Sequence, residues 1–269
     1  VVPCGLPATK PLHTRNVLKD KVDGIGGNDF VIIWGGGIYN WFDPLTLIKA
    51  MAEIAKIRDD IKLFFMGIKH PNPEVRELRM VNETINLAKK LKVYNKNIIF
   101  NFGWVDYEER QNYLLEANVG IITHPEHIET RFSFRTRILD YIWAGLPIIS
   151  TEGDYLSEFI ERKGLGIVTR DGDVKGIVNA IIKLADDTDF YNQCVKNIEK
   201  IVKDYTWEKV CQPIIDFCRD PVSSALKDRK ADNISNSNED NDLSIKRIKT
   251  SRKGSSYPVS YTHLTLPTN

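Results

Sequence analysis

The apolar residues of this chain follow two alternating patterns. Short unbroken apolar runs, such as F-V-I-I-W at Phe30–Trp34, predict strands buried on both faces. Between them, apolar positions recur every three or four residues, which predicts amphipathic helices. In chain order the pattern predicts strand Phe30–Trp34, a helix from Asp43-Pro44 to about Ile57, strand Lys62–Met66, a long helix Pro73–Leu91 and strand Asn97–Phe102. It continues with helix Tyr107–Ala117, strand Asn118–Thr123, helix Phe134–Ala144, strand Leu146–Ser150, helix Tyr155–Lys163, strand Gly166–Thr169 and helix Val174–Ala185. Two helices, Phe190–Lys203 and Thr206–Cys218, close the series. Strands alternating with helices predict an α/β fold with a doubly wound parallel sheet, which is Rossmann-like. Ligands of such sheets bind beyond the carboxyl ends of the strands.

Composition sets the boundaries. Residues 1–27, punctuated by Gly and Pro, read as a linker, and residues 28–218 carry the periodic pattern. From Arg219 the chain turns polar, and residues 219–257 read as a disordered tail or linker. The last stretch, P-V-S-Y-T-H-L-T-L-P-T-N (residues 258–269), resembles a translated sequencing adapter and is left out of the fold reading. The chain has 269 residues, 42% hydrophobic, with a formal net charge of +1, so no general electrostatic drive toward nucleic acid or an anionic membrane is expected. Cys4, Cys194, Cys211 and Cys218 have no zinc-ligand spacing, and a reducing, cytoplasmic location is expected. No run of eighteen apolar residues and no signal peptide is visible.

The chemistry concentrates in His124–Thr151, which reads as strand end, polar loop, helix and strand. Ser133 is expected to cap the helix, and Gly145 to end it. The loop and first turn hold Glu126, Glu129, Arg131, Arg135, Thr136 and Arg137, with Asp140 a turn deeper. A helix start offers N–H groups and a positive dipole end, and arginines beside it suit phosphate. Arg135 and Arg137 lie about 200° apart on a helix, so only one is expected to face a ligand, and Arg135 is favoured. Asp140 is placed to accept from a sugar diol. Gly35-Gly36-Gly37, directly after the first strand, allows close backbone approach to a ligand or simply a tight turn. Lys69, after the second strand, is a candidate phosphate contact or an exposed polar residue. Trp104, after the third, reads by itself as a packing residue.

The string E-T-R-F-S-F-R-T-R-x-L-D-Y-x-W-A-G-L-P resembles the donor site of group 1 (GT4-like) retaining glycosyltransferases of GT-B fold. Asp140 stands five positions before Gly145, as the second Glu of that family's motif does. Glu129 matches the first Glu, eleven positions before Asp140 where the family has eight. The resemblance covers Val1–Cys218, and V-V-P-C-G is similar to the segment that leads into the family's C-terminal domain. It implies a donor-binding domain for a nucleotide diphosphate sugar. The ribose would meet Asp140, the diphosphate Ser133–Arg137 and Gly35–Gly37, the base Trp104, and the sugar Glu129 as the catalytic acid of the motif. It also implies that a preceding domain, which holds the acceptor, is missing from this chain, and that the chain alone is inactive. No cofactor or metal is implied; His124, His127 and Glu129 lack the spacing of a helical metal site. The implied role is surface polysaccharide or glycoconjugate synthesis, in the cytoplasm or at the inner membrane face. A nucleotide-sugar epimerase of the same fold, or a nucleotide-binding domain without catalysis, are the alternatives.

Overall fold

The structure, a computed structural model, describes residues 3–68, 72, 74 and 76–221. Contacts divide the chain into two units, and the unit that carries the site is Val2–Arg219. Its strands are β1 (Phe30–Trp34), β2 (Ile61–Phe65), β3 (Ile98–Phe100), β4 (Val119–Ile122), β5 (Ile148–Thr151) and β6 (Gly166–Thr169). They form one parallel sheet in the order β3-β2-β1-β4-β5-β6. Strand β1 pairs with β2 from Phe30↔Ile61 to Trp34↔Phe65, and with β4 at Ile32↔Val119. The strand order therefore reverses between β1 and β4, which makes their carboxyl ends the place for a ligand crevice.

The helices are α1 (Pro44–Ile54), α2 (Arg79–Lys90), α3 (Arg110–Glu116), α4 (Ile128–Phe132), α5 (Thr136–Ala144), α6 (Tyr155–Lys163), α7 (Val174–Asp186), α8 (Thr188–Ile201), α9 (Trp207–Val210) and α10 (Gln212–Arg219). Asp43 starts α1 by accepting from the Thr46 N–H at 3.1 Å, with Pro44 in the first turn as expected. Gly145 ends α5 in the left-handed region at φ 75°, also as expected.

Several boundaries differ from the sequence pattern, four of them with a visible cause. Helix α2 starts at Arg79 rather than Pro73, because Leu78 is extended, and Asn40 Oδ1 from the loop after β1 receives the Met80 N–H. The loop before α5 contains a short helix, α4, whose start is capped when His127 Nδ1 accepts from the Thr130 N–H at 3.3 Å. Ser133 is extended and closes α4, so α5 begins at Thr136 and no side chain caps it. The expected cap by Ser133 is thus replaced by a helix end, and its hydroxyl donates to Glu129 instead. The final expected helix is split at Cys211, since Pro213 fits only the first turn of a new helix, α10.

One side chain ties the site's elements together. Tyr141 of α5 is fully buried, and its ring lies on the bare backbone of β4: a Cβ on Gly120 would fall 2.3 Å from the ring. Its hydroxyl accepts from the Gly35 N–H at 2.8 Å and donates to the Ile121 carbonyl at 2.9 Å. Burial pushes this hydroxyl's pKa up to about 12, so it stays a donor. The segment read as a linker packs on the same body. Leu6, Val17, Leu18 and Ile25 are buried, and Glu116 accepts from the N–H groups of Val17, Leu18 and Lys19.

Candidate functional site

The loops after β1 and β4 and the start of α5 meet at the switch point. Gly35–Gly37 leaves β1, and Gly36 takes φ +125°, a conformation that suits glycine. A Cβ there would also sit close to Arg137, 3.2 Å from a guanidinium nitrogen. Arg137 reaches this loop from α5 and donates to the Gly37 carbonyl at 2.8 Å. Its guanidinium lies over the rings of Trp34 (5.2 Å) and Phe42 (4.7 Å). Its other terminal nitrogen is out of solvent and, among the described residues, has no hydrogen-bond partner. Desolvation holds its pKa below the usual arginine value.

Arg135 is placed differently. It is 5% exposed, and its two terminal nitrogens grip the Glu129 carboxylate at 2.9 and 2.7 Å. Ser133 donates to the same carboxylate. Burial pushes the Glu129 carboxyl up, but the hydrogen bonds from Arg135 and Ser133 outweigh it and hold it below the usual range. The arginine favoured for a ligand is therefore occupied by a carboxylate, and the one with an unmet donor is Arg137. Of the two backbone N–H groups at the helix start, that of Thr136 already donates to the Phe134 carbonyl at 2.9 Å.

Asp140, a turn deeper, is partly exposed. Arg110 Nε lies 3.2 Å from its carboxylate. The Arg110 guanidinium is itself sandwiched, 3.5 Å from the Tyr107 ring centre and 4.6 Å from that of Trp143. Desolvation raises the Asp140 pKa despite this cation. Trp104 is half-exposed and lies over Gly67, beyond the end of β2. Lys69 falls outside the described residues.

The structure thus joins Glu129, Ser133 and Arg135 in one cluster and Gly35–Gly37 with Arg137 in another, bridged by Phe42, which lies under both arginines. Sequence reasoning missed Arg110, Phe42 and Asp154. Only Asp154 left a signal, as the Asp-x-x-Ser start of α6. Among the described residues no group of three or more His, Cys, Asp and Glu is arranged for a metal, and no helix is long and apolar enough to cross a membrane. A separate depression of about 370 Å³ runs along β6 and α7, and none of its lining residues belongs to either cluster.

Fold and site together define a doubly wound α/β domain with charged side chains gathered at its switch point. A family model described as glycosyl transferases group 1 matches residues 29–187, and the chain belongs to that family. Its sheet and flanking helices match the C-terminal domains of GT-B glycosyltransferases. Sucrose-phosphate synthase of Zea mays is 24% identical over 199 residues, covering 70% of this chain and 18% of that protein. The structure of sucrose-phosphate synthase from Thermosynechococcus elongatus aligns with a TM-score of 0.62 at 17% identity, covering 81% of this chain and 51% of that one. Anabaena HepE in complex with UDP-glucose aligns at 0.58 and 18% identity, covering 71% of this chain and 49% of its own. The chain therefore spans about half of these structures and under a fifth of the plant relative.

Proposed function

We propose that this domain binds a nucleotide diphosphate sugar as the donor for a retaining glycosyl transfer. The carrying observation is the enclosed, unpartnered nitrogen of Arg137 beside Gly35–Gly37, at an uncapped helix start. An enclosed guanidinium with an unmet donor is costly unless an anion completes it, and a diphosphate does so with two charges. In this reading the diphosphate lies beside Gly35–Gly37 and Arg137, with Thr136 and Ser133 at its edge. The ribose diol donates to Asp140, the base stacks near Trp104, and the sugar lies against Glu129. Arg135 acts through Glu129 rather than on phosphate.

The chemistry asked of the protein is positioning and charge stabilisation. Arg137 would stabilise the negative charge that builds on the departing diphosphate. Glu129 would orient the sugar hydroxyls as the anomeric bond breaks. No metal or other cofactor has a role in these steps. The acceptor would be a glycan, lipid or other glycoconjugate in surface polysaccharide synthesis, in the cytoplasm or at the inner membrane face.

Calorimetry with UDP, GDP and ADP and the matching nucleosides tests the reading. A diphosphate should bind more tightly than its nucleoside, and Arg137→Gln should remove most of that difference. The difference should also shrink as salt rises. Equal affinity for nucleoside and diphosphate in the wild type would overturn it.

A further inference from the structure

A second set of charges lies behind Glu129, and capping alone does not account for it. Asp154 precedes α6 with its side chain fully buried. Its Oδ1 accepts from the Ser157 N–H at 2.7 Å and caps that helix. Its Oδ2 faces inward, 3.1 Å from Nε2 of the fully buried His124 and 3.7 Å from Nε of Arg135. None of these three atoms completes a hydrogen bond with the described residues, and between Asp154 and Arg135 the contact is one of opposite charges at close range. A cap needs only an oxygen acceptor, which Asn supplies as well as Asp. A buried carboxylate is costly, and its Oδ2 brings no hydrogen bond in return.

We infer that Asp154 is a positioning residue for Glu129. Arg135 has two edges: its Nε side turns toward Asp154, and its fork of terminal nitrogens grips both Glu129 oxygens. The Thr130 hydroxyl at 3.3 Å and the Phe42 ring at 5.2 Å close its remaining sides. The charge on Asp154 fixes the rotation of the guanidinium in its plane, and that rotation sets the Glu129 carboxylate. His124, from the end of β4, holds Asp154 from the other side. The inference rests on the proposed reading that Glu129 meets the donor sugar.

The test uses the full chain and three ligand pairs: UDP with UDP-glucose, GDP with GDP-glucose, and ADP with ADP-glucose. The wild type should bind one sugar nucleotide more tightly than its diphosphate. Asp154→Asn, which keeps the cap acceptor, should leave diphosphate affinity unchanged and reduce the sugar's contribution by about fivefold or more. In a Glu129→Gln background the same substitution should change nothing, because the group it positions is already altered. A purely structural Asp154 would instead lower both affinities, additively with Glu129→Gln. If Asp154→Asn does not fold, Arg135→Lys carries the test, since lysine keeps the charge but lacks two edges; the same selective loss is expected. An unchanged sugar contribution in these variants overturns the positioning role while leaving the donor reading intact. A wild type that binds no diphosphate overturns both.

Discussion

The two sides of the switch point treat their arginines in opposite ways. On the Glu129 wall, Arg135 is buried between two carboxylates, and its charge is matched. On the glycine wall, Arg137 is enclosed by Trp34, Phe42 and a carbonyl, with no carboxylate among the described residues bonded to it. These residues are two positions apart, so neither composition nor motif separates them. What separates them is a short helix, α4, which folds Glu129 back onto Arg135 and leaves Arg137 facing the glycines. A cation already paired serves architecture, whereas one held without an anion is available to a ligand.

The contrast predicts different costs for the two substitutions. Arg135→Ala should lower stability by about 3 kcal/mol or more, because it leaves Asp154 buried without its arginine. Chemical denaturation would read this, and a loss under about 1 kcal/mol would mean that the pair contributes little. Tyr141→Phe should cost about 1–3 kcal/mol, since the Gly35 N–H and the Ile121 carbonyl lose a buried partner. It should also weaken diphosphate binding, because the glycine loop is released from α5. Unchanged diphosphate affinity in a destabilised Tyr141→Phe would show that the loop holds its place without α5. Arg137→Ala should cost less than about 1.5 kcal/mol of stability, since one hydrogen bond is lost but an unmatched charge is removed with it. If Arg137→Ala proved as destabilising as Arg135→Ala, the distinction between the walls would fail.

The smallest expected effect is on pH. Glu129 sits below its usual 4.5 in the fold, so its stabilisation is complete above that value and is lost only as pH falls through the lowered one. Asp140 sits above its usual 3.8, so the fold favours its neutral form; its stabilisation is present below 3.8 and is lost as pH rises through the raised value. The ribose would need the ionised carboxylate. On acidification, nucleoside affinity should therefore fall first, above the ordinary aspartate range, while the Glu129–Arg135 pair is still intact. Titrating affinity and stability over the same pH series checks the order. Asp140→Asn should flatten the affinity curve, and an unaltered curve would remove Asp140 from the ribose site.

Much of this was legible in the residues themselves. Apolar runs flanked by turn residues gave β1 and β6 to the residue, because a short apolar run between turn residues is a signal that needs no partner to interpret. Asp43-Pro44 and Gly145 marked helix ends for equally local reasons: a capping oxygen, a fixed φ, and tolerance of the left-handed region. The placing of chemistry at His124–Thr151 was local as well, since cations beside a helix start are visible as a string.

The start of α2 and the pairing of the arginines were not local. Met80 is capped by Asn40, which lies forty positions earlier. Arg135 and Arg137 differ by their distances to Glu129, Asp154 and Gly37, separations that no periodicity encodes. Sequence determined the parallel sheet and the stretch that carries the charges. Tertiary structure decided which charge is matched and which is left open, because desolvation and ion pairing depend on distances between segments that only the packed sheet brings together.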